Sequence, residues 1–145
     1  MELKGKGMIH TKQLELDSGG SFSVTNITDQ VREFVRTTGI KHGQALVYYR
    51  HTTGGVWIAE HEPGIIADLE ALFERLAPKS GEYLHHMRSV DFNGHAHLRS
   101  ALLSISATIP ILEGELQLGT YQEVLILDDQ VEPAARYVIL QVTGE

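Results

Sequence analysis

The stretch His51-Thr52-Thr53-Gly54-Gly55-Val56-Trp57-Ile58-Ala59-Glu60 follows one strand-like segment and ends in another. Residues 45–49, which precede it, read Ala-Leu-Val-Tyr-Tyr, a run typical of a buried strand. Residues 56–60 form a second apolar segment that ends in a carboxylate. Between the two segments are an imidazole, two hydroxyls and two glycines, residue types that build a polar pocket reached by exposed backbone. We therefore predict two strands joined by a glycine-bearing turn that carries part of a functional site.

A second polar stretch, residues 83–99, contains four of the eight histidines of the chain. They stand at positions 85, 86, 95 and 97 and are followed by Arg99. We expect the fold to bring this stretch together with His51.

Composition favours a single soluble domain, because 145 residues with 42% hydrophobic and 21% charged side chains suffice for one core. A net charge of -7 without a basic stripe argues against nucleic acid as a partner. The sequence has no apolar run near the ~20 residues needed to cross a bilayer, and residues 1–8 lack a signal-peptide core, so we predict no membrane partner and a cytoplasmic location. Since cysteine is absent, any metal must be held by histidine and carboxylate.

Hydrophobic periodicity predicts three helices. In the first, Ile27, Val31, Phe34 and Val35 form one apolar stripe, with Asn26 or Thr28 as cap and Gly39 closing the helix. The second helix begins after Pro63-Gly64 and ends at Ala77-Pro78, and the third runs from Gly94 to Ser104 with Asn93 as its cap.

The remaining segments read as strands. We predict them at residues 9–16, 21–25, 44–50, 56–60, 106–112, 115–120, 123–127 and 136–142, the first two forming a hairpin. Because this order lacks regular βαβ alternation, we predict an α+β fold with a largely antiparallel sheet or sandwich. Residues 1–145 then form one domain, in which residues 1–7 are a loose N-terminal extension.

Three histidines, His51, His85 and His97, are candidate metal ligands, since a catalytic metal usually keeps three protein ligands at roughly 2 Å and one open position. The alternative is that they are surface or capping histidines. On a helix, His95 and His97 point to nearly opposite sides, so one of them at most joins a given site. His86 or His95 can each replace one of the three.

Other polar groups near His51 have two interpretations each. Glu60 is a base, a metal ligand or a partner of an imidazole, or else a strand-end surface charge. Thr52 and Thr53 bind phosphate together with the glycine backbone, or form a plain hairpin turn. Arg99 binds an anion bidentately, or is an ordinary exposed helix arginine.

Taken in order, these residues resemble the YjbQ family, described as secondary thiamine-phosphate synthases. The resemblance covers nearly the whole chain. It rests on His51-Thr52-Thr53 leading to Glu60, Pro63 with Asp68, Tyr83-x-His85, Asp91-x-Asn93, His95-Ala96-His97-Leu98-Arg99, Ile109-Pro110 followed by Gly114, Leu118-Gly119-Thr120-Tyr121-Gln122, and Arg136.

The resemblance implies a compact α+β domain assembled as a homotrimer, whose histidine-bearing stretches bind a metal or an anion. It also implies a transferase that joins a pyrimidine diphosphate to a thiazole phosphate with release of pyrophosphate. The expected cofactor is a divalent metal, zinc or magnesium, and the expected partner is a small phosphorylated substrate. A single arginine, Arg136, stands where relatives often carry a basic cluster, which argues against phosphate binding by that loop.

On this interpretation the site residues have three roles. The catalytic residues are Glu60 and Arg99; the substrate- and phosphate-binding residues are Thr52, Thr53, Asn93, Thr120 and Gln122; the metal ligands are His51, His85 and His97. Two alternative functions stay open. One is metal-dependent hydrolysis at the same site with Glu60 activating a water, and the other is a non-enzymatic trimeric binding or scaffold protein with a structural metal.

Overall fold

The computed structural model describes residues 8–145, and the loose extension predicted for residues 1–7 lies outside the described residues. Within that range the chain forms eight strands and three α-helices, which confirms the predicted α+β class. The elements are β1 (Met8–Ser18), β2 (Ser23–Asn26), α1 (Thr28–Thr38), β3 (Gly43–Tyr49), β4 (Gly54–Ala59), α2 (Pro63–Leu76), a 3₁₀ turn (Leu84–Met87), α3 (Gly94–Leu102), β5 (Ser106–Leu112), β6 (Glu115–Leu116), β7 (Glu123–Asp128) and β8 (Ala134–Gly144). None of the helices in this range is long and apolar enough to cross a bilayer.

The strands form two sheets in which all the described pairings are antiparallel, as predicted. One sheet has five strands in the order β1-β8-β3-β5-β6, and the other has three in the order β2-β7-β4. Both sheets and α1 contribute to one core. Its buried members include Ile27, Val31 and Val35 of α1, Ala45 and Val47 of β3, Val124 and Ile126 of β7, and Val138, Leu140 and Val142 of β8. The helical residues recur every four positions and those of the strands every two, as each geometry requires.

The predicted hairpin between the first two strands is wrong, although both strands exist. β1 pairs with β8 and β2 with β7, while β3 pairs with β5 and β8 and β4 with β7. The chain therefore changes sheet at residues 19–22 and again at residues 50–53. Alternation of apolar and polar residues predicts a strand and its buried face, but it does not specify the partner strand.

Gly54 and Gly55 belong to β4 and not to the turn before it. A Cβ on Gly54 would lie 2.0 Å from the carbonyl oxygen of Leu127, and one on Gly55 would lie 2.6 Å from that of Ser104. The Val56 N–H donates to the same Ser104 carbonyl at 2.7 Å. Both glycines thus permit close backbone approach, one to β7 and one to the segment that follows α3.

The helix ends differ in part from the predictions. Gly39 closes α1 in the left-handed region with φ of 72°, as predicted. The third helix ends at Leu102, and the Asn93 side chain makes no capping hydrogen bond. Instead, His86 Nε2 accepts the Gly94 N–H at 3.0 Å, so an imidazole contributed by the 3₁₀ turn takes over that role.

Candidate functional site

Asp128, the last residue of β7, gathers polar groups beside the turn at residues 50–53. The β4–β7 register places it opposite Gly54. Its carboxylate accepts hydrogen bonds from the Tyr49 hydroxyl, from the Thr53 hydroxyl at 2.9 Å and from the Gln130 N–H at 2.8 Å. Because Asp128 is buried, these donors replace the water that the carboxylate loses on folding.

Arg136 of β8 neutralises this buried carboxylate. Its Nε lies 2.6 Å from Asp128 Oδ2, a charge pair in which the N–H does not point along the contact. Its Nη2 donates to the Thr53 hydroxyl at 3.4 Å. Burial, and then the hydrogen bond to Asp128, raise the pKa of Tyr49, so this phenol is a neutral donor.

His51 is fixed by the same cluster. Its Nε2 lies 2.8 Å from the Tyr137 backbone nitrogen and its Nδ1 lies 3.2 Å from Arg136 Nη1, and both of these neighbours can only donate. Burial lowers the pKa of His51, and the positive charge of Arg136 lowers it further. Because each ring nitrogen faces a donor of the protein, neither offers a free lone pair to a metal.

His85 and His97 form a second, separate arrangement. His97 Nδ1 lies 3.0 Å from the Thr52 carbonyl oxygen, and since a carbonyl can only accept, this nitrogen carries the proton. His85 Nε2 lies 3.1 Å from Asn93 Oδ1 and donates to it for the same reason. The two ring centroids are 4.8 Å apart. Each imidazole therefore keeps one nitrogen, His85 Nδ1 or His97 Nε2, with a free lone pair.

Asn93 is buried and orients His85. Its Nδ2 donates to Gln130 Oε1 at 3.2 Å, which leaves Oδ1 as the acceptor for the imidazole. The Gln130 N–H in turn donates to Asp128. A continuous chain of hydrogen bonds thus joins the buried carboxylate to the histidine pair, and Asn93 is a positioning group within it.

The three-histidine metal set is not assembled by the fold. Among residues 8–145, no group of three or more His, Asp or Glu side chains is placed to hold one ion. His85 and His97 do come together, and their hydrogen bonds to an amide oxygen and a backbone carbonyl are the contacts that commonly orient metal-binding imidazoles. The residues present therefore fit a partial metal site of two ligands.

Arg99 is buried between two carboxylates and is not an exposed helix arginine. It lies 2.6 Å from Glu74 Oε2 and 3.2 Å from Asp129 Oδ1, and its Nε donates to the Ala77 carbonyl at 3.0 Å. The side chain is 3% exposed, so it has no open face toward a substrate. These contacts tie α3 to the end of α2 and to the residue after β7, a structural arrangement in place of the predicted catalytic one.

His95 points into the protein, away from His97, as helix geometry predicts. It is 1% exposed, and both of its ring nitrogens lack a protein partner. Burial, and then the charges of Arg99 and Lys79, lower the pKa of His95 to about 4. It is therefore a neutral core residue and does not replace either histidine of the exposed pair.

Glu60, Thr120 and Gln122 lie at the opposite end of the β4–β7 pair from Asp128. The register pairs Ala59 with Glu123 at that end, five residues along β4 from Gly54, or about 17 Å at ~3.3 Å per residue. Glu60 is exposed, and Gln122 Oε1 accepts the Gly119 N–H at 2.8 Å. These three residues are not brought together with the histidine pair in one chain.

Thr52 and Thr53 differ although they are neighbours. Thr52 is exposed, and its carbonyl orients His97. Thr53 is buried, and its hydroxyl is used by Asp128 and Arg136. Of the two hydroxyls predicted to bind phosphate, that of Thr52 is therefore accessible and that of Thr53 is not.

Several residues of this region were missed from the sequence. Asp128, Asp129 and Gln130 lie at or just after the end of an apolar strand, a position from which side chains commonly enter sites, so the sequence does carry a signal for them. Arg136 was noted only as part of the family resemblance and Tyr137 gave no local signal, because the roles of both depend on the pairing of β8 with β1 and β3.

Fold and site together define a class: an α+β domain of two antiparallel sheets, with a polar cluster and an exposed histidine pair at one end of the smaller sheet. The chain belongs to the YjbQ family, because the family model described as UPF0047 protein YjbQ-like matches residues 12–145. This confirms the family assigned from the sequence motifs.

The relatives extend over most of the chain. A UPF0047 protein of Methanothermobacter thermautotrophicus is 30% identical over 94% of each chain. One from Synechocystis is 37% identical over 85% of this chain and 84% of its own. Among solved structures, a YbjQ-like protein of unknown function from Sulfolobus solfataricus has a TM-score of 0.91 at 27% identity, covering 96% of this chain and 99% of that one. A hypothetical protein from Aeropyrum pernix has a TM-score of 0.87 at 32% identity, covering 94% and 99%.

These comparisons overturn the predicted thiamine-phosphate synthase activity. The relatives carry the family designation UPF0047 without an activity, and the Sulfolobus structure is described as a protein of unknown function. Membership of the family therefore establishes the fold but no reaction. The predicted transferase activity is therefore wrong. The two alternative functions, metal-dependent hydrolysis and a trimeric binding or scaffold protein, gain no support from the relatives.

Proposed function

We propose that this protein binds a divalent transition metal through His85 Nδ1 and His97 Nε2 and presents it to a small anionic ligand. The observation that carries the proposal is the fixed tautomer of each imidazole, since both rings donate one N–H to a protein oxygen and keep the other nitrogen free. Metal-binding histidines are oriented by contacts of this kind.

The spacing of the rings supports a shared ion. Two imidazoles bound to one tetrahedral zinc at ~2.0–2.1 Å have ring centroids about 5 Å apart. The observed separation is 4.8 Å. The distance between the two rings therefore matches that of two imidazoles on one ion.

The donor set also selects among metals. Imidazole nitrogen suits zinc and its neighbours in the transition series, whereas magnesium prefers oxygen ligands. Of the two metals predicted from the family resemblance, the pair of histidines therefore favours zinc. When bound, such an ion polarises an oxygen of a water or an anionic ligand.

Two protein ligands leave two coordination positions of a tetrahedral ion open. A small phosphorylated ligand, which the resemblance implied as partner, suits these positions because its oxygens are anionic. The homotrimer remains part of the proposal. A groove of about 640 Å³ between α2, α3 and the sheets exposes several apolar side chains, an arrangement that favours self-association. The cytoplasmic location stays a prediction.

The test is zinc binding by chelator-treated protein, measured by calorimetry and by metal analysis after dialysis. We expect His85→Ala and His97→Ala each to weaken zinc binding by more than the roughly 10–100-fold that loss of a hydrogen-bonding partner of a ligand costs, since each removes one of two ligands. The matched control is His42→Ala, which removes an exposed histidine elsewhere. His51→Gln separates the two-histidine site from the three-histidine set, because zinc affinity should persist in this variant.

Full zinc binding by His97→Ala would overturn the ligand assignment. Equal losses in His51→Gln and His97→Ala would instead restore the three-histidine set. Sedimentation velocity of the same samples checks the trimer independently of the metal.

A further inference from the structure

A pocket lined by polar side chains lies on the face of the larger sheet, beside His51. It has a volume of about 370 Å³ and is lined by Gln13 of β1, Arg50, His51 and Tyr137 of β8. None of these residues holds the proposed metal. Its position is fixed by the β1–β8 pairing and by the Arg50 N–H, which donates to the Tyr137 carbonyl at 3.2 Å.

Most of the free polar groups of this pocket are donors. Arg50 Nη1 donates to Gln13 Oε1 at 2.9 Å, so the amide oxygen is used and the Gln13 NH₂ group is left to donate. The remaining guanidinium N–H groups of Arg50 and the Tyr137 hydroxyl are further donors. Both ring nitrogens of His51 already face donors of the protein, the Tyr137 N–H and Arg136 Nη1. A pocket whose free donors outnumber its free acceptors suits an anion.

The charged side chains around the pocket also favour an anion. Arg50 is exposed at the pocket, and the guanidinium of Arg136 lies behind His51, 3.2 Å from its Nδ1. Asp128 offsets Arg136 but not Arg50. Burial lowers the pKa of His51, and the charges of Arg136 and Arg50 lower it further, while that of Asp128 raises it.

We infer that the pocket lined by Gln13, Arg50, His51 and Tyr137 binds a small oxyanion of the phosphate class. The guanidinium of Arg50 and the amide of Gln13 hold the anion oxygens through charge-assisted and neutral hydrogen bonds. The ring of His51 stacks on that of Tyr137, with centroids 5.9 Å apart and an interplanar angle of 26°, and forms the wall of the pocket.

This anion pocket adjoins the histidine pair but is distinct from it. His51 directly precedes Thr52, whose carbonyl orients His97. One carboxylate, Glu15, lies opposite Tyr137 in the β1–β8 register and therefore shares its face of the sheet, although it does not line the pocket. Its charge opposes an anion, which gives the test a variant with an effect of opposite sign.

The test titrates inorganic phosphate into chelator-treated protein at constant ionic strength, with binding measured by calorimetry and by NMR of the arginine and histidine side chains. We expect Arg50→Gln to weaken phosphate binding about tenfold, as the loss of one charge-assisted contact predicts. Arg75→Gln on α2 removes the same charge from an exposed position outside the pocket and should change the affinity less than twofold. Glu15→Gln should tighten binding.

The double variant His85→Ala/His97→Ala separates this inference from the proposed metal function, because it should bind phosphate like the wild type. Equal weakening by Arg50→Gln and Arg75→Gln would reduce the effect to overall charge and overturn the pocket. Loss of phosphate binding in the double histidine variant, with Arg50 intact, would overturn it in favour of an anion site at the histidine pair. No phosphate binding by the wild type at millimolar concentrations would also overturn it.

Discussion

The two ends of the β4–β7 strand pair contrast in how they treat polar residues. At the Gly54–Asp128 end, a buried carboxylate accepts hydrogen bonds from Tyr49 and Thr53 and pairs with Arg136. At the Ala59–Glu123 end, Glu123 is half-exposed, and its carboxylate lies 4.0 Å from His61 Nδ1. The contrast shows that polar residues of similar type do different work according to burial: at one end they specify the geometry of a site, and at the other they remain in water.

The largest effect on stability is expected when the buried carboxylate of Asp128 is removed. We expect Asp128→Ala to lower the free energy of unfolding by about 3–5 kcal/mol, because it leaves the buried charge of Arg136 and the hydroxyls of Tyr49 and Thr53 without their acceptor. Urea unfolding followed by circular dichroism measures this change.

The matched variant at the opposite end is Glu123→Ala, which should cost less than about 1 kcal/mol, as is usual for exposed ion pairs. Similar costs for the two variants would show that the Asp128 cluster contributes no more to stability than a surface contact, and the contrast between the two ends would disappear.

Acid should lower the free energy of unfolding through protonation of His95. Its folded-state pKa of about 4 lies below its ordinary value of 6.5, so the unfolded chain takes up the proton first as the pH falls. The stability that depends on the neutral imidazole is fully present above pH ~6.5 and is lost progressively toward pH 4. This loss is on the order of 2 kcal/mol. Unfolding free energies at pH 7 and pH 4.5 measure the loss.

His95→Leu, which removes the titrating ring, should reduce that pH dependence. After burial, the charges of Arg99, Lys79, Glu74 and His86 also act on the pKa of this imidazole, so the acid loss of the variant is compared with that of the wild type. His61→Leu, which removes an exposed histidine at the other end, is the matched control. An unaltered acid loss in His95→Leu would refute the assignment.

The smallest effect is expected at Glu60, which sharpens the contrast between the two ends. Because Glu60 is exposed and about 17 Å along the strand pair from the Asp128 end, Glu60→Gln should change the free energy of unfolding by less than about 0.5 kcal/mol. Zinc affinity should also stay within twofold of the wild type. A large loss of zinc affinity would mean that Glu60 of a second copy completes the metal site.

Much of the fold was predictable from the sequence, because secondary structure follows from local periodicity. The apolar stripe of α1 and the alternation along β8 each identify an element and its buried face. The partner strands were not predictable to the same degree. Pairing β1 with β8 joins residues more than one hundred positions apart, and alternation along β1 is equally compatible with a hairpin to β2.

For the candidate site, the sequence identified the residue types and the two stretches, and the tertiary structure decided which of them meet. His85 and His97 come together because the 3₁₀ turn packs against α3, and helix geometry alone sends His95 the other way. His51 is not available as a metal ligand because its Nε2 faces the Tyr137 N–H. This contact exists only once β8 lies beside β3. Arg99, which the sequence offered as an anion ligand, is made structural by Asp129 and Glu74. Composition therefore determined which ligand atoms the chain possesses, while burial and long-range strand pairing determined which of those atoms are free.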